Sequence, residues 1–219
     1  NGMRDGVHIR LMVSRGVKAT PYQDPRMTVT PPTVVIIPEY KDPLPETVDR
    51  GVRLFTVHVR RGYSDVQDPT LNTHSKLNCI TACIQAAKAG HDEALMLDPH
   101  GFVATCNSTH FFIVRRDELW TSTGDYCLDG ITREKVLQIA GELGIPAREK
   151  NFTLNDVYNA QEAFVTGTFA GLVPVREVDG RTIGDGSGER PFITRLRQGY
   201  RDRVQRYIDG PGASHPREG

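Results

Sequence analysis

Residues 92–114 read DEALMLDPHGFVATCNSTHFFIV. Short apolar runs broken by turn residues have the pattern of β-strands, not of a helix. EALMLD (93–98) predicts one strand, Pro99-His100-Gly101 a turn, and GFVA (101–104) the start of a second strand. HFFIVRR (110–116) and ELWTS (118–122) flank Asp117 as a hairpin. The middle of the chain is therefore expected to be sheet.

Working upstream, residues 76–89 carry Leu77, Ile80, Cys83, Ile84 and Ala87 at helical spacing, and Gly90 is placed to end that helix. LFTVHVRR (54–61) predicts a strand. KDPLPETVDRG (41–51) is Pro-rich and charged and is taken as a linker. VVII (34–37) predicts a short buried strand, and the prolines and glycine of 16–32 predict a long loop. VHIRLMV (7–13) alternates as a strand. Downstream, Thr132 is expected to cap a helix through Val136, Leu137, Ile139, Ala140 and Leu143, closed by Gly144 and Pro146. Thr153 to Asp156 has the form of a capping box. EAFVTGT and GLVPVREVDG predict two further strands. Gly184, Gly186 and Gly188 predict a flexible loop. Residues 192–208 predict a last helix with Ile193, Leu196, Tyr200, Val204, Tyr207 and Ile208 on one face. Its five arginines, Arg195, Arg197, Arg201, Arg203 and Arg206, are either a basic interaction surface or a solvated face.

Of 219 residues, 27 are basic and 27 acidic, so no net field draws the chain to nucleic acid or an acidic membrane. No apolar run approaches the roughly 20 residues that span a bilayer, and no secretory signal is visible. Four cysteines (Cys79, Cys83, Cys106, Cys127) are too few for a disulfide scaffold and lack zinc spacings, so free thiols and a cytoplasmic location are expected. The chain begins at Asn1 within a run that already looks like the inside of a domain, as a fragment or processed chain would.

Three segments carry chemistry. Lys76 stands just before an apolar-periodic helix. The positive end of a helix disfavours an ammonium, and burial would add to that, leaving the neutral amine that imine formation requires. Asp129-Gly130-Ile131-Thr132-Arg133 places a glycine and a hydroxyl at a helix start, a ready phosphate cradle. Thr166-Gly167-Thr168 ends a strand in groups that can face a phosphate. Each alone is equally a surface lysine, a capped helix or a plain turn. No Walker loop or Gly-x-Gly-x-x-Gly after a strand is present.

In this order, with LDGITREKVLQIAGELGIP (128–146) and AFVTGTFAGLVPVREVDGR (163–181), the segments resemble the fold-type IV class of pyridoxal-phosphate enzymes, from about residue 7 to about 200. The class includes branched-chain and D-amino-acid aminotransferases, amine transaminases and aminodeoxychorismate lyases. The resemblance implies an α+β fold like that of D-amino-acid aminotransferase, with residues 1–48 the back of a small α/β domain, 49–208 a larger barrel-like cofactor domain and 209–219 a flexible tail. It implies that Lys76 carries pyridoxal 5'-phosphate and moves the proton, and that Gly130, Ile131, Thr132, Gly167 and Thr168 hold the phosphate. It places Arg10, Phe169 and Ala170 with the substrate. It implies a homodimer acting on an amino acid and a 2-oxo acid, with no metal, nucleic acid or membrane partner.

The chain departs from the family pattern at three places. Thr105 stands where a glutamate usually meets the pyridine nitrogen, and a hydroxyl cannot hold that nitrogen protonated as a carboxylate does. Cys79 stands where an aromatic residue often meets the ring hydroxyl. The front of the small domain, where a phosphate-binding arginine is usual, is missing. Two alternatives to amino-group transfer therefore stay open: a lyase on the same scaffold, and a non-catalytic paralogue acting as a binding module.

Overall fold

A computed structural model describes residues 1–4 and 6–210. The chain divides into a first unit, Asn1–Pro43, and a second that begins at Leu44. The first unit is a ribbon of β1 (Val7–Val13) paired antiparallel with β2 (Val34–Tyr40), Leu11 opposite Ile36. Between the strands, Lys18 bridges Thr28 and a 3-10 turn spans Pro25–Met27. The expectation of a buried strand at 34–37 is not met. Val34, Val35, Ile36 and Ile37 are exposed, because a two-stranded ribbon has no layer of its own to cover its faces.

The second unit opens with α1 (Pro45–Arg50), so the expected linker holds a helix with proline at its first position, where the missing N–H is one that has no helical partner anyway. β3 (Val52–Thr56) follows and is shorter than expected. From Val57 to Arg61 the backbone stays beside the next strand only through Val57 N–H to Leu95 O and Arg61 N–H to Leu97 O. Then come α2 (Leu77–Lys88), β4 (Glu93–Leu97), β5 (Val103–Cys106), β6 (His110–Arg115) and β7 (Glu118–Thr121). α3 (Ile131–Glu142), β8 (Ala147–Glu149), α4 (Leu154–Tyr158), β9 (Glu162–Gly167), β10 (Gly171–Val178), β11 (Arg181–Thr182) and α5 (Pro191–Asp209) complete it. Asp209, expected in the tail, ends α5, and residues 211–219 lie outside the described residues.

The strands form one mixed sheet in the order β5-β4-β3-β10-β9-β6-β7-β8, with β11 paired to β10. The β10–β3, β3–β4 and β7–β8 pairs are parallel. The class is α+β, as expected. One core layer joins Leu54, Leu95, Phe111, Ile113 and Val165, and a second packs Phe112, Phe164, Val136, Ile139 and Leu196 under α3 and α5. Phe112 and Phe164 stack with ring centroids 5.0 Å apart. Glu162, buried, caps α5 by accepting from the N–H groups of Phe192 and Ile193.

Two helices differ from expectation. On α2 the buried residues are Ala82 and Ala86, while Leu77 (75%), Ile80 (48%) and Ile84 (48%) are exposed. Only alanine lets this helix lie close on β4, so the larger apolar residues face outward. On α5 the first half docks through Ile193 and Leu196, but Val204, Tyr207 and Ile208 are exposed. The arginines of α5 are not simply a solvated face. Arg195 donates to Leu143 O, Arg197 to Val48 O and Leu172 O, and Arg203 to Gln138 and Glu142.

Candidate active site

Lys76 is the N-cap residue of α2, at the edge of a cavity of about 210 Å³ in the second unit. Its side chain is exposed rather than buried, and Nζ donates to Asn72 Oδ1 at 2.9 Å. The cavity is lined by Arg61, Cys79, Asn78, Thr105, Thr109 and His110 among others. Arg61 is anchored on three sides, donating to Tyr126 O (3.0 Å), Cys79 Sγ (3.2 Å) and Pro69 O (3.4 Å). Two cations, Lys76 and Arg61, thus face the cavity with one carboxylate, Asp68. Two hydrogen bonds from Thr70 hold that carboxyl below its ordinary range.

The inner wall is β5 and the turn that leads into β6. Thr105 is buried, and its hydroxyl donates to Thr109 O at 2.9 Å. A threonine hydroxyl has one proton, so what Oγ1 offers the cavity is a lone pair. Glu93 braces the turn from below: its Oε1 accepts from Ser108 N (3.0 Å), Ser108 Oγ (2.8 Å) and Thr109 Oγ1 (2.9 Å). Burial raises the Glu93 carboxyl, with those bonds opposing. Asn107 fastens the same turn to Ala94 through Ala94 N–H to Oδ1, 2.8 Å. Cys106 and Cys127 are buried and Cys79 and Cys83 partly so; all four thiols are free.

The cavity lining includes neither Ile131 and Thr132 nor Gly167 and Thr168. The turn into β6 links these segments to it. His110 is paired with Thr166 in the β6–β9 ladder, and the Gly167 Cα faces the Thr109 methyl, where an added Cβ would lie 3.5 Å away. Gly130 is the N-cap of α3, one residue before Ile131 and two before Thr132, so Thr132 is not the cap that was expected. Thr132 is buried in the first turn, and Ile131 is exposed. No side chain caps α3, leaving its first N–H groups without helical partners. Thr166 is buried with Oγ1 unpartnered. Thr168 and Phe169 are exposed and Ala170 packs against the first core layer. Arg10 lies exposed on β1 in the first unit. Arg61, Glu93 and His110 were not singled out by sequence. Only the paired arginines 60–61 gave a local signal.

Lys76 and Arg61 thus line one cavity whose inner wall runs from Thr105 to His110. Residues 1–178 match the model of amino-transferase class IV, and the chain belongs to that family. It is 36% identical over 216 residues to branched-chain-amino-acid aminotransferase-like protein 2 of Arabidopsis thaliana, covering 99% of this chain and 38% of the relative. It is 42% identical over 187 residues to a putative branched-chain-amino-acid aminotransferase of Methanocaldococcus jannaschii, covering 84% of this chain and 63% of that one. The fold matches the T.th. branched-chain amino acid aminotransferase solved with pyridoxamine 5'-phosphate at a TM-score of 0.83 and 32% identity, over 90% of this chain and 65% of that one. The chain thus spans less than two thirds of the length of these relatives.

Proposed function

We propose that this chain belongs to a pyridoxal-phosphate aminotransferase that moves an amino group between an amino acid and a 2-oxo acid. Branched-chain amino acids, the class named in the relatives, are the proposed donors. The carrying observation is the Lys76 amine on a cavity walled by Thr105 to His110. That wall is continuous with the starts of α3 and of the turn after β9.

The residues fit the cofactor. The unpartnered Thr166 hydroxyl, on the residue before Gly167, and the uncapped start of α3 would supply donors for a phosphate. Arg61 and Lys76 supply positive charge for an anion. Bound there, the cofactor's ring supplies an electron sink for charge developing on the substrate carbon. Lys76 Nζ, which donates to Asn72 Oδ1, would be the group that takes and returns the proton at the substrate carbon. Thr105 and the anchored Arg61, both on the cavity wall, are the residues that would hold the ring. Phe169 and Ala170 are proposed on the substrate side. Among the described residues no helix is long and apolar enough to cross a membrane, and a cytoplasmic location is part of the proposal. The outward stripe of Leu77, Ile80 and Ile84 supports a homodimer, since a second copy on α2 covers that stripe beside Lys76.

Lys76→Ala tests the reading. It should abolish both the yellow colour of the cofactor-loaded protein and keto-acid-dependent amine transfer; retained turnover contradicts the role.

A further inference from the structure

His110 joins two parts of the proposed site and belongs to neither motif. It is the first residue of β6, buried, and its Nε2–H donates to Leu128 O at 2.6 Å. A carbonyl only accepts, so the ring carries its proton on Nε2 and Nδ1 keeps a lone pair. Burial holds the imidazole toward its neutral form; the Leu128 bond and Asp129 oppose this, while Arg133 and Arg61 add to it.

The ring also explains Gly130. That residue has φ −86 and ψ 125, ordinary extended backbone open to any side chain, so conformation does not call for glycine. Space does. A Cβ there would lie 2.4 Å from His110 Cε1 and 2.8 Å from Nδ1. The imidazole occupies the place a side chain would take, and the backbone rests on the ring.

We propose that His110 is a positioning residue for the cofactor phosphate. Its Nε2–H fixes the Leu128 carbonyl and its ring seats Gly130. The chain therefore enters α3 in one direction, with the N–H groups of Ile131 and Thr132 aimed at the anion. The inference rests on the proposed cofactor site, but its first test needs no cofactor.

Hydrogen exchange across 128–133 is measured in the unliganded wild type, His110→Phe and His110→Gln. Phenylalanine keeps the ring and loses the donor; glutamine restores a donor at similar reach. His110→Phe should speed exchange there about tenfold, the loss of one hydrogen bond's worth of local closure. His110→Gln should return it to within about threefold. Pyridoxal-phosphate affinity should follow the same order. Unchanged exchange in His110→Phe, or no rescue by glutamine, overturns the proposal. Should His110→Phe unfold the protein, a cycle decides. Gly130→Ala should loosen 128–133 strongly in the wild type and much less beside His110→Ala; equal effects in both backgrounds also overturn it. A wild type that exchanges as expected yet takes up no cofactor contradicts the proposed function and leaves the His110 contact standing.

Discussion

Thr105 gives its only hydroxyl proton to the Thr109 carbonyl, so its oxygen keeps lone pairs at the position proposed for the ring nitrogen. A carboxylate there would hold a ring nitrogen protonated and deepen the electron sink. Thr105→Glu should raise the rate of transamination in steady-state assays; an unchanged or lower rate contradicts the placement of Thr105 at the ring nitrogen. Glu93 makes a separate prediction about stability. Burial raises its folded-state value above the ordinary 4.5. A group raised in the folded state contributes stability below its unfolded value, and that contribution is lost as pH rises through the folded value. Glu93→Gln keeps an acceptor and cannot titrate. Its melting temperature relative to wild type should therefore improve as pH rises above the ordinary carboxylate range. Glu93→Ala leaves the Ser108 and Thr109 donors of the turn unmet and should lose about 2 kcal/mol at low pH, where the wild-type carboxyl is protonated. A glutamine variant that worsens with rising pH contradicts the raised carboxyl.

α3 and α5 cross at a glycine. A Cβ at Gly199 would meet Ile139 Cγ2 at 2.6 Å, and the branched isoleucine has little χ1 freedom to move within a helix. Helix propensity favours Gly199→Ala by about 1 kcal/mol, but overpacking costs about 1–3 kcal/mol. Chemical denaturation should show net destabilisation, reversed in sign when Ile139→Ala removes the obstacle. Stabilisation by Gly199→Ala alone contradicts the close crossing. The order of elements was legible because alternation and helical spacing are local: β1, β4, β6, β9, β10 and α5 fall within a few residues of where the pattern puts them. The inward face of α2 was not, since five apolar residues outweigh two alanines in a spacing argument, whereas contact with the sheet admits only the alanines. β8, three exposed residues paired at an edge, left no signal. Lys76 and the two glycine turns were readable as motifs. Glu93, His110 and Arg61 became visible only when the sheet brought residues 15 and more apart into one wall.

At the scale of the molecule, the outward stripe on α2 predicts association. Ile80→Glu sets a charge in the middle of that stripe, and a desolvated unpaired charge is costly. Sedimentation should show a dimer for the wild type and monomers for the variant; a variant that remains dimeric places the interface elsewhere. The chain holds six lysines, Lys18, Lys41, Lys76, Lys88, Lys135 and Lys150, so the choice among them can be read chemically. The purified chain is loaded with pyridoxal 5'-phosphate, reduced with borohydride and digested, and the peptides are weighed. A phosphopyridoxyl mass on Lys76 alone is the predicted result, and label spread over the other five lysines, or absent from Lys76, contradicts the account.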